Sequence, residues 1–318
     1  MVPQFARTTA LRRAAVQAVR APSVHNTQPW RFHLTPHAIE VHADWGRRLP
    51  LLDTRGRQLV MSGGCALLNV RAALAADGRG AQVDRFPDPS RPEVLARVTL
   101  VDGEPAPAEA VLAPLDAAVA LRRTNRSRFS DGAVPAELLA RLVDDAAAEG
   151  AVLVVLTDAQ WRAAARLSRR ADELSDARPG FRAELAAATA GDGLGAVDPD
   201  RGGTVARGRG PDTFRTGFLA EYASTSGGAL LLLGTRHDTP LGWLRAGEAM
   251  ERVLLELTLA GFVASSLMQV IEVAETTELL RSELGVVVHP QGLLRVGLAS
   301  GVPATRRRRL VDVLSEAR

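Results

Sequence analysis

The sequence contains no lysine, so all 39 basic residues are arginine. Isoleucine, asparagine and tyrosine are nearly as scarce, a bias away from AT-rich codons. Because 36 acidic residues leave a net charge of only +3, the arginine content is weak support for nucleic-acid binding. Aromatic residues make up 4% of the chain, too few for a stacking platform, and no recognised nucleic-acid module is present. The single cysteine, Cys65, excludes an internal disulfide and a cysteine metal cage. Long apolar runs are missing: the strongest, 230–233 and 152–156, fall far short of the roughly 20 residues that span a bilayer. The basic amino terminus lacks an apolar h-region, so no signal peptide is read and a cytoplasmic location is expected. Of six histidines, His33, His37 and His42 form the only cluster, on a hairpin with no partner carboxylates, so no metal site is expected. A Gly-x-Ser-x-Gly nucleophile elbow is also absent.

What is present is 318 residues, 46% hydrophobic and 24% charged, enough to bury a large core as one big domain or two ordinary ones. The most informative stretch is Ala21-Pro22-Ser23-Val24-His25-Asn26-Thr27-Gln28-Pro29-Trp30-Arg31-Phe32, a dense set of polar donors and acceptors where a helix gives way to a strand. Upstream, Leu11, Ala14, Ala15, Ala18 and Val19 recur at helical spacing, with Thr8 or Thr9 as the expected cap. The helix should stop at Ala21, because Pro22 disfavours helical angles in the residue before it. Downstream, Phe32, Leu34, Ile39, Val41 and Ala43 alternate across a Thr35-Pro36 turn and predict a hairpin. A loop stiffened by prolines at both ends and rich in amides and hydroxyls suits a flat ligand with several hydrogen-bonding groups. A capped helix-to-strand turn around a structural Trp30 explains the same spacing.

The chain runs twice through a similar plan. A buried helix is predicted at 58–76, with Gly63 and Gly64 marking a close helix contact, and another at 248–260. Strands are predicted at 97–101, 152–157 and 293–299, and an amphipathic helix at 136–147. Two αβ halves with buried central helices suggest an internal duplication. The Pro-rich stretch 102–114 is the expected junction. The segment 176–216 breaks the plan: it is rich in Gly, Pro, Asp and Arg, with a short helix expected at 181–190, and is read as a lid-like insertion. Its glycine run at 191–195 neither follows a strand nor opens a helix, so it fails as a dinucleotide fingerprint. Two arginine clusters remain, 122–128 with interleaved Thr, Asn and Ser, and 306–309. The first suits phosphate, through guanidinium forks and neutral hydroxyl donors, although a solvated basic loop is the commoner fate of such a run.

Pro-Ser-x-x-Asn-x-Gln-Pro-Trp at 22–30, Arg-Arg-Thr-x-Arg at 122–126 with Phe129, and Pro-x-x-Arg at 303–306 together resemble the nitroreductase family. The arrangement is similar to its Acg-type branch, found in actinobacteria, in which two nitroreductase-like halves are fused. Segments 52–59, 242–248 and 294–297 add to the likeness, which covers nearly the whole chain. Thr124 stands where Ser is usual, Ala304 where many relatives have Lys, and one extra residue separates Arg126 from Phe129.

The resemblance implies an α+β, three-layer α/β/α fold. Its first half, 1–120, and second half, 121–318, would form one compact intramolecular pseudo-dimer, a monomer mimicking a dimer that could assemble further. It implies FMN as cofactor, NAD(P)H as transient reductant and a small organic oxidant as substrate, with hydride chemistry at the flavin and no catalytic side chain or metal. The alternative within the branch is a flavin-storage or sequestering protein. By the same resemblance, Arg122, Arg123, Thr124, Arg126 and Arg306 hold the phosphate and pyrimidine edge. Pro22, Ser23, Val24, Asn26 and Gln28 line the ring, His25 faces substrate, and Ser265, Ser266, Met268 and Gln269 approach the ring. Neither nucleic acid nor membrane is an expected partner.

Overall fold

A computed structural model describes residues 4–125, 129–189, 228–301 and 304–317. Helix α1 (Gln4–Ala18) begins ahead of Thr8 and Thr9, which therefore lie inside it rather than capping it. It ends in a tight turn, with the Ala21 N–H donating to the Ala18 carbonyl at 3.1 Å, directly before Pro22. Strands β1 (Trp30–Leu34) and β2 (Ala38–Ala43) form the expected hairpin, with Phe32 opposite Val41. Helix α2 (Arg57–Ala76) is buried at every position except its last. It is long and apolar enough to cross a membrane, yet 94% of its apolar window is covered by the rest of the fold. Strands β3 (Ala81–Arg85) and β4 (Val94–Leu100) complete the first unit.

Two short helices, α3 (Pro107–Ala110) and α4 (Leu115–Val119), occupy the proline-rich junction. The second unit repeats the order: α5 (Ala136–Ala148), β5 (Val152–Val155), β6 (Ala229–Thr235), α8 (Pro240–Leu259), β7 (Val263–Leu267) and β8 (His289–Gly297). Between β5 and β6 come α6 (Asp158–Asp176), which the sequence pattern did not reveal, and α7 (Phe181–Thr189), as expected. The rest of the predicted lid, 190–216, lies outside the described residues. Two further helices, α9 (Gln269–Glu272) and α10 (Ala274–Leu284), separate β7 from β8. Helix α8 starts well before the expected residue 248, because the Thr239 hydroxyl caps the Gly242 N–H at 3.2 Å and Pro240 preorganises the first turn.

The sheets carry the repeat. The first has the order β3-β4-β2-β1, with a fifth strand, β9 (Leu314–Glu316), beyond β1, and the second has the order β5-β6-β8-β7. Matching β1 to β5, β2 to β6, β3 to β7 and β4 to β8 makes the two orders identical, and all those pairings are antiparallel. The extra strand β9 belongs to the carboxyl-terminal arm, which crosses to the other half and pairs in parallel with β1. In the opposite direction, Thr124 bridges to Ala264 on β7, and the Asn125 N–H donates to the Ala264 carbonyl at 2.9 Å.

Helices α2 and α8 cross between the sheets at glycine. A Cβ on Gly64 would lie 2.1 Å from the Leu244 carbonyl, and one on Gly247 2.0 Å from the Met61 carbonyl. One continuous core contains Phe32, Val41, Leu67 and Val70 together with Leu231, Leu254, Leu257 and Val296. The other face of the second sheet, with Leu230, Leu232 and Leu293, packs on α6, α9 and α10, so helices cover both sides. On the first sheet, the face away from α2 carries Arg31, His33, Glu40, His42 and Arg97. Glu40 there binds Arg97 at 2.7 Å and His42 at 2.8 Å.

Candidate functional site

The loop between α1 and β1 is held in a sparsely populated backbone conformation. His25, Asn26 and Gln28 have φ of 46°, 56° and 49°, three of the four positive values at non-glycine residues among those described. Each such residue costs on the order of 1 kcal/mol or more unless its surroundings enforce it. Here they do. The Ser23 hydroxyl accepts the Gln28 N–H at 2.9 Å, and the Arg47 Nε donates to the Thr27 carbonyl at 2.6 Å. The Asn26 amide donates to the Arg306 carbonyl at 3.0 Å, and the Gln28 Oε1 accepts the Arg308 N–H at 2.7 Å. The loop and the carboxyl-terminal arm therefore fix one another.

Loop residues Pro22, Ser23, Val24 and His25 form one wall of a cleft of about 810 Å³, counting its open mouth. Gln58, Met61 and Ser62 of α2 and Met250 of α8 form its floor. Thr124, Ser266, Met268, Gln269 and Glu272 close the far side. Its lining comes from both sides of the proline-rich junction. A few hydroxyls and amides among apolar walls are the usual means of orienting a ligand.

Of the residues singled out in the sequence, Pro22, Ser23, Val24, His25, Thr124, Ser266, Met268 and Gln269 meet in this cleft. Ser265 does not: neighbouring strand residues face opposite ways, so Ser265 is turned inward opposite Arg295, at 1% exposure. Asn26 and Gln28 are spent on the arm, as above. Arg122 is buried, its Nε 3.3 Å from Glu251 and its Nη2 donating to the Arg20 carbonyl at 3.2 Å. Arg123 is half-buried and donates to the Ala120 carbonyl at 2.9 Å. Arg306 is exposed, while its neighbour Arg307 points inward and donates to the Asn26 Oδ1 at 3.0 Å. Arg126 lies outside the described residues. Gln58, Met61, Ser62, Met250 and Glu272 escaped the sequence reading. The methionines left a signal in composition, since the chain has only four.

The charge beside this cleft is unbalanced. Burial raises the Glu251 carboxyl above its ordinary range, and Arg122 only partly offsets it. Burial, then repulsion by Arg122, pulls the Arg307 guanidinium down to about 9, against the pull of Glu251. The Arg307 Nε is buried with no hydrogen-bond partner among the described residues. Several guanidiniums around one reluctant carboxylate make a place that an anion would stabilise.

The repeat differs here. There the turn Glu149-Gly150-Ala151 stands where the other unit has its 21–29 loop. Arg71 on α2 binds Glu248 and Glu109 at 2.8 Å, and Arg252 on α8 binds Glu149 at 3.0 Å and Asp145 at 2.7 Å. Arg85, ending β3, reaches Glu248 at 2.7 Å.

Helix α7 of the insertion docks beside the cleft. Its Glu184 carboxylate accepts the N–H groups of Leu51 and Leu52 at 2.8 to 3.1 Å, and Phe181 packs with Leu49 and Leu52. On the first sheet, His33 Nδ1 lies 3.0 Å from the Ser315 hydroxyl, and among the described residues no three metal-ligating side chains gather.

No family model matches the chain. It is 34% identical to a Mycobacterium tuberculosis protein, Rv3131, that carries a provisional NAD(P)H nitroreductase name, over 99% of this chain and 93% of that one. It is 32% identical to Acg of the same organism, similarly named, over 98% and 97%. Among solved structures, the FMN-dependent nitroreductase NfnB from Mycobacterium smegmatis in complex with NADPH is 18% identical. That match covers 65% of this chain and 100% of NfnB, with a TM-score of 0.45. With relatives matched end to end at this level of identity, the chain belongs to the Acg-type branch of the nitroreductase family.

Proposed function

We propose that the chain is an FMN-dependent oxidoreductase that passes two electrons from NAD(P)H to a small organic oxidant, using one flavin per chain. The observation that carries this reading is the convergence of Pro22, Ser23 and Val24 from one half with Thr124, Ser266 and Gln269 from the other on one cleft. The donor set fits FMN. Pro22, Val24, Met61 and Met250 supply flat apolar contact, and Gln58, Ser62 and Gln269 supply amide and hydroxyl groups for a heteroaromatic edge. Arg122, Arg123 and Arg307 supply the positive field a phosphate needs, with the Thr124 hydroxyl as a neutral donor. The orphaned Arg307 Nε supports a missing anion in particular.

When bound, FMN supplies the hydride chemistry itself. The work left to the chain is positioning: the strained 22–28 loop sets one wall, and the crossed helices α2 and α8 hold the floor rigid. No side-chain nucleophile is needed. The purified protein should bind FMN at one equivalent per chain, and NAD(P)H should bleach its absorbance near the flavin maximum, with recovery on adding a nitroaromatic or quinone oxidant. Binding of two equivalents, or none, rejects the reading. Binding with no bleaching leaves a flavin-storage protein instead.

A further inference from the structure

Three of the four methionines in the chain, Met61, Met250 and Met268, line the one cleft. They come from α2, from α8 and from the residue after β7, so no local repeat explains their meeting. Elsewhere the described core is built mainly from leucine, alanine and valine, with a few aromatic and isoleucine residues. Their exposure is graded: Met61 is 1% exposed, Met250 8%, and Met268 is partly exposed. The sulfur of Met61 is engaged by the buried Arg57, whose Nη1 lies 3.7 Å away. The one thiol, Cys65, is fully buried against the Gly247 carbonyl at 3.2 Å, out of reach of solvent oxidants.

We propose that Met268, and after it the less exposed Met250, is a reversible oxidation site through which hydroperoxides, hydrogen peroxide being the simplest, lower the occupancy of the cleft. The inference rests on the flavin reading for the identity of the occupant. In the step, a lone pair of the thioether sulfur attacks one peroxide oxygen. The S–O bond forms as the O–O bond breaks, and the departing hydroxide takes up the proton of the transferred oxygen to leave water. The sulfur is oxidised by two electrons and the peroxide is reduced; methionine sulfoxide reductases reverse the change. A thioether is apolar and polarisable, and it packs well against a flat ring, whereas a sulfoxide carries a strong dipole that wants water. Oxidation therefore turns part of an apolar wall polar without altering the backbone that shapes it.

The test treats the protein, with and without FMN, with graded hydrogen peroxide, and follows each methionine by peptide mass spectrometry and FMN affinity by titration. Met268 is expected to oxidise before Met250, with Met61 last, and FMN is expected to slow the oxidation of Met268. Affinity is expected to fall roughly tenfold and to return after methionine sulfoxide reductase treatment. The Met268→Leu variant, compared with its own untreated form, should lose most of the peroxide effect. Met268 resisting doses that oxidise a free methionine amide, or its oxidation leaving FMN affinity unchanged, overturns the proposal. An untreated protein that fails to bind FMN rejects the functional reading instead, and the order of oxidation then still decides the site.

Discussion

Gly64 and Gly247 are the same residue of the duplicated unit, each the eighth of its helix, and each faces the backbone of the other's helix. The carbonyls they approach, Leu244 and Met61, are likewise equivalent, each the fifth residue of its helix. The crossing is thus a local two-fold inside one chain. Cys65, beside Gly64, joins it by donating to the Gly247 carbonyl.

Gly247→Ala should therefore destabilise the fold by about 3 kcal/mol, because a methyl group cannot be placed 2.0 Å from a helix carbonyl without moving α2 against α8. Gly261→Ala is the comparison: its φ is +78° but its Cβ direction is open, so only the left-handed strain remains, about 1 kcal/mol. Urea denaturation should rank them in that order, and equal midpoints would contradict the close crossing.

Arg307→Ala should weaken FMN binding roughly ten- to a hundredfold, the loss of one charge-assisted contact. Arg309→Ala should change it by less than about twofold, since that side chain is 77% exposed and among the described residues pairs only with Asp312. Arg308 is no neutral control. It donates to the Gln28 carbonyl at 3.2 Å and lies 3.6 Å from Asp44. Titration of the two variants side by side decides the matter.

Glu40 sets a pH dependence. Burial alone would raise its carboxyl, but hydrogen bonds from Arg97, His42 and Arg91 outweigh that and hold it at about 2. A carboxyl depressed in the folded state stabilises above its unfolded pKa, and the contribution is lost as pH falls through the folded value. Thermal melts should show wild type losing stability between about pH 5 and 2 more steeply than Glu40→Gln does. Parallel curves would remove Glu40 from the acid response.

Glu184→Ala should release α7 from the 49–53 loop while leaving the sheets intact. Amide exchange at Leu51 and Leu52, whose N–H groups Glu184 accepts, should quicken about tenfold or more. Exchange within β6 and β8 should not change, and an unaltered Leu51 would mean that Phe181 alone holds the helix.

How far the sequence speaks depends on the range of the interaction that decides each feature. The 22–30 loop was legible because its prolines and its neighbouring periodicities act locally. Helix α2 was legible because nearly every one of its faces is apolar. Helix α6 was not, although its two faces are well segregated and Thr157 caps its start: its inward face is largely alanine, as at Ala163, Ala164 and Ala171, rather than the larger apolar residues that mark α2. Gln58, Ser62 and Glu272 read as ordinary polar helix positions, and only the crossing of α2 with α8 and the return of α9 bring them to one cleft. Among four successive arginines, nothing local selects Arg307. Asn26 and Gln28, some 280 residues away in the chain, fix the arm so that it turns inward.

The short turn at 149–151, standing where the other unit has its 21–29 loop, bears on how such a chain can change over time. In an assembly of two identical subunits, any substitution is made twice, and a deletion that shortened the ligand loop would abolish both sites together. Here the two copies have separate codons. Glu149 can sit where the other copy keeps a loop, α6 and α7 can grow out of one turn while the other remains Thr35-Pro36, and the surviving cleft is untouched by either event. A duplicated chain can thus let its two units differ, one keeping a long loop beside a cleft and the other a short turn beside a cluster of ion pairs.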